Sequence, residues 1–233
     1  MKSAIFDHVP QELVTAVEKI EQHSGIPFLV CQATAQLIEE FPNLANFPLL
    51  DIYPEIGRIC VWYPGNAISA ADLSHELIHA RRDVLQSVPR LVPLRRAKHP
   101  ELIYAINNDL EHLFVIPEEL TFFPEQEAKW ADKYTGFILE ASPNPLNLFR
   151  HWVVINTSLP KQTSLIEQCK NKLIESKLLN DAESFRMDIE AALPDKWQLI
   201  QVMLKWFPNI RVDVSIQRFS ASNLGLDVID IPF

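Results

Sequence analysis

Ser74-His75-Glu76-Leu77-Ile78-His79-Ala80 is the stretch that organises this chain, because it carries the pattern His-Glu-x-x-His. The flanking residues predict that the pattern lies inside a helix. Ser69 can cap that helix, with Asp72 three residues later in a capping-box relation. No Gly or Pro follows until Pro89, which is expected to stop the helix. The motif therefore sits in the middle of a predicted helix.

On a helix, residues four apart lie one turn above each other. His75 and His79 can thus direct both imidazoles at a single metal ion, and Glu76 lies within reach of a water on that ion. This is the side-chain arrangement that a zinc hydrolase requires.

The motif resembles that of the zincin metallopeptidases, and His75, Glu76 and His79 carry the resemblance. It implies Zn²⁺ as the cofactor, with both histidines as ligands and Glu76 as the catalytic base. The metzincin branch would also need Gly at position 82 and His at position 85. The chain has Arg82 and Leu85 there, which excludes a metzincin.

A second helix is predicted from Pro100, at its first position, to Pro117, which is expected to end it. One face of this helix is apolar. Another face carries a polar stripe at helical spacing, formed by Tyr104, Asn107, Asn108 and Glu111.

A catalytic zinc takes three protein ligands and keeps one position for water, so His75 and His79 need a partner. Gluzincins take this third ligand from a Glu on a later helix. The chain resembles gluzincins, and also the ImmA/IrrE-type regulatory metallopeptidases, in its acidic helix that runs to Pro117. That resemblance implies Glu111 as the third ligand. His112 is the alternative ligand, or a donor to the reaction's oxyanion, and Tyr104 is a second candidate donor.

The composition restricts the class of protein. A net charge of -9 argues against generic nucleic-acid binding, which needs an excess of Lys and Arg. No apolar run suits a signal peptide or a membrane span. The three cysteines show no Cys-x-x-Cys pairing, so neither a disulfide framework nor a cysteine zinc site is indicated. A cytoplasmic protein without membrane or nucleic-acid partners is expected.

The predicted fold class is α+β, a mainly helical zincin-like domain with a small sheet. Residues 1–141 are expected to form the metallopeptidase core, and residues 142–233 a helical C-terminal extension with a terminal strand, packed on the core. The basic segment 90–99 is predicted to be a solvated loop, and the alternative is that it steers an acidic substrate or partner. Resemblance to zincins suggests that the strand 58–63, just before the metal helix, pairs with an extended peptide.

The predicted function is hydrolysis of a peptide bond in a peptide or protein substrate, by Glu76-assisted attack of a zinc-bound water. Two alternatives stay open. One is a protein-interaction module on a degenerate zincin scaffold, against which the intact Glu76 argues. The other is a zinc amidohydrolase that acts on a non-peptide amide, since its metal chemistry would be the same.

Overall fold

A computed structural model of the protein describes residues 4–53, 56–140, 144–220 and 225–229. Most of these residues are helical, and the strands form two three-stranded sheets. The predicted α+β, mainly helical class is confirmed. None of the helices in these ranges combines the length and the apolar character needed to cross a membrane.

The chain divides into two compact units. The first comprises Met1–Val88 and Gln217–Val228, and the second comprises Pro89–Ile216 and Ile229–Phe233. The boundary predicted near residue 141 falls inside the second unit. The helix predicted to supply the third zinc ligand therefore shares a unit with the C-terminal helices.

The first unit places a sheet and helices next to the His-Glu-x-x-His motif. Its elements are α1 (Gln11–Ser24), β1 (Phe28–Gln32), α2 (Ala35–Glu40), β2 (Leu49–Tyr53), β3 (Arg58–Tyr63) and α3 (Ala70–Ala80), with a π-helical turn at Arg81–Leu85. Helix α1 buries an apolar stripe at helical spacing, formed by Leu13, Val14, Val17 and Ile20. Gly25 ends it at φ 65°, a left-handed conformation that glycine adopts without strain.

The first sheet has the strand order β1-β3-β2. Strand β3 pairs in parallel with β1 and antiparallel with β2. Both hydrogen-bonding sides of β3 are thus occupied, so the prediction that a peptide pairs with residues 58–63 is wrong. Among the described residues, the open edges of this sheet belong to β1 and β2.

The second unit is a helical assembly around one apolar core. Its elements are β4 (Arg90–Pro93), α4 (Pro100–Phe122), α5 (Gln126–Glu140), α6 (Pro145–Ser158), α7 (Thr163–Glu175), α8 (Leu179–Ala192) and α9 (Lys196–Trp206). Helix α6 is apolar over most of its length and supplies core residues that include Leu148, Phe149, Trp152 and Ile155. Strands β5 (Val214–Ser220) and β6 (Gly225–Ile229) follow, and the second sheet has the order β4-β5-β6.

Several boundaries differ from the sequence prediction. Helix α4 continues through Pro117 to Phe122. Proline costs a helix one N–H donor and about 3 kcal/mol, but Val115, Ile116 and Glu119 are all buried around it. Their packing holds the last turns, so the prediction that Pro117 ends the helix is wrong.

The terminal strand predicted for the C-terminal extension exists, and a short helix precedes it. Residues Pro208–Asp213 form a 3-10 helix, and β5 begins at Val214. The segment 90–99, predicted to be a loop, begins with strand β4. The sequence did not indicate this strand, because Arg90 and Pro93 interrupt the pattern of apolar residues by which a strand is recognised.

Candidate metal centre

Helix α3 begins as the sequence predicts. The Ser69 hydroxyl oxygen accepts the Asp72 backbone N–H at 3.0 Å and donates to the Asp72 carboxylate at 2.7 Å. This cap fixes where the helix starts, and the start sets which residues face inward. The buried face holds Leu73, Leu77 and Ile78, each of them fully enclosed.

His75 and His79 lie one turn apart on α3 and face each other. Their Nε2 atoms are 3.2 Å apart, and their rings meet nearly edge to face at 73°. His75 is only 9% exposed. Two nitrogens bound to one tetrahedral zinc at the usual bond length lie about 3.4 Å apart. The pair therefore has the spacing of two ligands of one ion.

Glu76 lies between the two histidines in sequence and is 8% exposed. Its Oε2 accepts the backbone N–H of Leu50, on strand β2, at 3.1 Å. The carboxylate is thus held in a defined position within the first unit. The sequence motif could not reveal this contact, since it depends on how β2 and α3 pack.

Glu111, the predicted third ligand, lies on α4 in the second unit. It forms a buried ion pair with Lys196, and the two side chains are 4% and 3% exposed. The Lys196 Nζ also lies 3.4 Å from Asn107 Oδ1, which accepts the Leu91 backbone N–H at 2.9 Å. The polar stripe of α4 is therefore partly explained by a lysine on α9.

Lys196 is a residue that the sequence analysis missed, although a signal was present. The buried face of α9 recurs at helical spacing through Leu199, Ile200 and Met203, and Lys196 is in phase with it. A lysine on that face is buried, and a buried lysine requires a partner.

His112, the alternative ligand, is 2% exposed. Its ring packs edge to face on Trp130 with centroids 4.9 Å apart, and its Nδ1 lies 3.5 Å from Asn108 Nδ2. The Ser158 hydroxyl donates to the His112 carbonyl at 3.2 Å. Trp130 and Asn108 thus contact the ring itself, and contacts of this kind orient a metal ligand.

Tyr104, the second candidate donor to an oxyanion, is on the first turns of α4 and is 59% exposed. Its predicted role stays a prediction.

The structure brings three of the candidate residues together. One ligand atom from each of His75, His79 and His112 lies within 4.8 Å of the other two, so the group can hold a metal ion. Among the described residues, this is the group of His, Cys, Asp and Glu that meets that condition. It contains His112, and Glu111 forms an ion pair with Lys196.

Asp109, on the same helix as Glu111, is a buried acid that is 7% exposed. Arg150 forms an ion pair with it, and the Tyr134 hydroxyl donates to it at 3.3 Å. Burial, followed by the Asp109 charge, raises the pKa of Tyr134 well above its ordinary value. Burial lowers the pKa of nearby His151 from 6.5 to about 4.

No protein-family model, curated protein or solved structure matches the chain.

Proposed function

We propose that the protein is a zinc-dependent peptidase of the zincin type, with resemblance to gluzincins limited to its motif. The observation that carries the proposal is the 3.2 Å separation of the His75 and His79 Nε2 atoms on one helix, with Glu76 between them in sequence. Three common polar residues at this spacing need not converge in space. Here the two imidazole nitrogens have the spacing of two ligands of one ion.

His75, His79 and His112 are the proposed ligands. Three imidazoles fit zinc, which accepts nitrogen donors in a tetrahedral set and keeps one position open in catalytic sites. The choice of His112 over Glu111 follows from the partners of each residue. Lys196 neutralises the Glu111 carboxylate, and Asn108 adjoins the His112 ring, where it can orient it.

A bound zinc ion would supply Lewis acidity to a water and to the carbonyl of the scissile bond. Glu76 takes the proton from the attacking water and passes it to the leaving amine nitrogen. The Leu50 N–H holds this largely buried carboxylate in a defined position for that role. Removal of the carboxylate should stop turnover without removing the ligands.

An extended peptide is the substrate class that fits the first unit. Strand β2 is an edge strand among the described residues, and the Leu50 N–H points away from β3, toward Glu76. A peptide that pairs with this edge as an extra strand would pass beside the Glu76 carboxylate. Main-chain pairing of this kind favours peptides over other amides.

The test is metal content together with hydrolysis of a diverse peptide library. The purified parent should hold about one zinc per chain, as expected for a single tetrahedral site, and should cleave library peptides. His79→Ala should lose both properties. His99→Ala is the matched control, because His99 is exposed beside Glu101 and lies outside the site. Equal zinc in the parent and in His79→Ala would contradict the proposal.

The third ligand is tested separately. His112→Ala should weaken zinc binding, whereas Glu111→Gln should leave zinc in the folded protein. Zinc lost from Glu111→Gln and kept in His112→Ala would transfer the ligand role to Glu111, as in a gluzincin.

A further inference from the structure

The contact between Glu76 and Leu50 engages the backbone amide that an incoming strand would need. Leu50 faces Val61 in the antiparallel pairing of β2 with β3. Its N–H lies in the plane of the sheet and donates to Glu76, so it points away from β3. Because the period of a strand is two residues, the backbone groups of Ile52 share this outward direction.

We propose that an extended peptide substrate releases the catalytic base by taking over the Leu50 N–H. This inference rests on the proposed peptidase function. In the free protein the Glu76 carboxylate holds the amide at 3.1 Å. A substrate carbonyl that pairs with β2 at Leu50 needs the same hydrogen, and Glu76 Oε2 is then available for the attacking water.

The exchange couples recognition to chemistry. The carboxylate forms a charge-assisted hydrogen bond with the amide, which is stronger than the bond that a neutral peptide carbonyl makes. Pairing at Leu50 therefore adds less affinity than pairing with an unoccupied amide would, but it frees the base. A substrate too short to reach Leu50 leaves Glu76 hydrogen-bonded to the Leu50 N–H. Substrate length should then raise kcat as well as lower KM.

Two peptidyl hydroxamates provide the probes, because a hydroxamate coordinates zinc without being cleaved. The short probe is acetyl-leucine hydroxamate, and the long probe extends it by several alanines so that it can lie along β2. Their dissociation constants are measured by calorimetry on the zinc-loaded full chain. The proteins are the parent, Glu76→Ala and Glu21→Ala.

Glu21→Ala is the matched control. Its carboxylate also accepts a backbone N–H from the same sheet, that of Phe28 at 2.9 Å, but at the start of β1. Any contact between Glu76 and the hydroxamate group is lost equally for both probes, so the ratio of the two affinities isolates the Leu50 amide.

The affinity advantage of the long probe should grow about 10-fold in Glu76→Ala, as expected when competition by a charge-assisted hydrogen bond is removed. It should not change in Glu21→Ala. An unchanged advantage in Glu76→Ala, with both probes bound to the parent, overturns the release of Glu76 but leaves the peptidase function standing. If neither probe binds the zinc-loaded parent, the peptidase function fails and the release fails with it.

A second measurement does not depend on any variant. In the ¹⁵N-labelled parent, the long probe should shift the Leu50 amide proton upfield, since a carboxylate partner is exchanged for a carbonyl, and the short probe should not. Equal shifts with both probes contradict the exchange.

Discussion

Helices α3 and α4 both bury several polar side chains, but they direct them differently. On α3, His75 and His79 face each other and Glu76 accepts a backbone amide. On α4, the carboxylates of Asp109 and Glu111 each face a buried cation brought by another helix, Arg150 on α6 and Lys196 on α9.

The difference separates two uses of buried polarity. A buried carboxylate matched by a buried cation is internally compensated, and removal of either partner is costly. Two imidazoles whose Nε2 atoms converge can instead bind a metal ion through those nitrogens. Substitutions on α3 should therefore change metal binding and turnover, and substitutions in the ion pairs of α4 should change stability.

The largest effect is expected from Glu76→Gln. The variant keeps the size of the side chain and an oxygen for the Leu50 N–H but loses the base, so turnover should fall by about 100- to 10,000-fold. Zinc content should not change. Glu119→Gln is the comparison on α4, since Glu119 is 2% exposed and accepts the Trp130 indole N–H at 3.0 Å; its turnover should stay near that of the parent.

If Glu76→Gln hydrolyses peptides at the parent rate, the mechanism is wrong. The interaction-module hypothesis would then replace it.

Lys196→Met tests the other half of the comparison. It leaves the Glu111 carboxylate without its buried cation, so the free energy of unfolding should drop by about 3–5 kcal/mol. Denaturant unfolding measures the drop, and Glu111→Gln combined with Lys196→Met should recover most of it. Zinc per folded chain should be unchanged. A variant of normal stability with altered zinc affinity would show that the Glu111–Lys196 pair serves the metal, and the distinction between α3 and α4 would fail.

The smallest effect concerns pH. His151 stacks on Phe137 and is 7% exposed, and burial lowers its pKa from 6.5 to about 4. As pH falls from 7 to 4, the unfolded chain takes up a proton at this residue before the folded chain does. The folded state should thereby lose roughly 3 kcal/mol.

Urea unfolding of the metal-free parent and of His151→Phe at pH 7 and pH 4 isolates this contribution. The parent should lose more stability than the variant over that interval. Equal losses would mean that His151 titrates alike in both states.

The sequence by itself determined the local features of the site. The Ser69 cap and the His-Glu-x-x-His spacing both act within helix α3. Hydrogen bonds and side-chain spacing there depend on neighbours in the chain. For the same reason the start of α4 at Pro100 could be predicted. The continuation of α4 through Pro117 could not, because burial of its last turns outweighs a local penalty.

Only the tertiary structure decided the partners of the buried charges. Glu111 and Lys196 are separated by 85 residues and Asp109 and Arg150 by 41, so no local pattern could pair them. The same holds for the sheet order, which places β3 in the centre and gives the edge beside Glu76 to β2. Strand order is set by which faces must be buried together. That property belongs to the packed chain and not to any one segment of it.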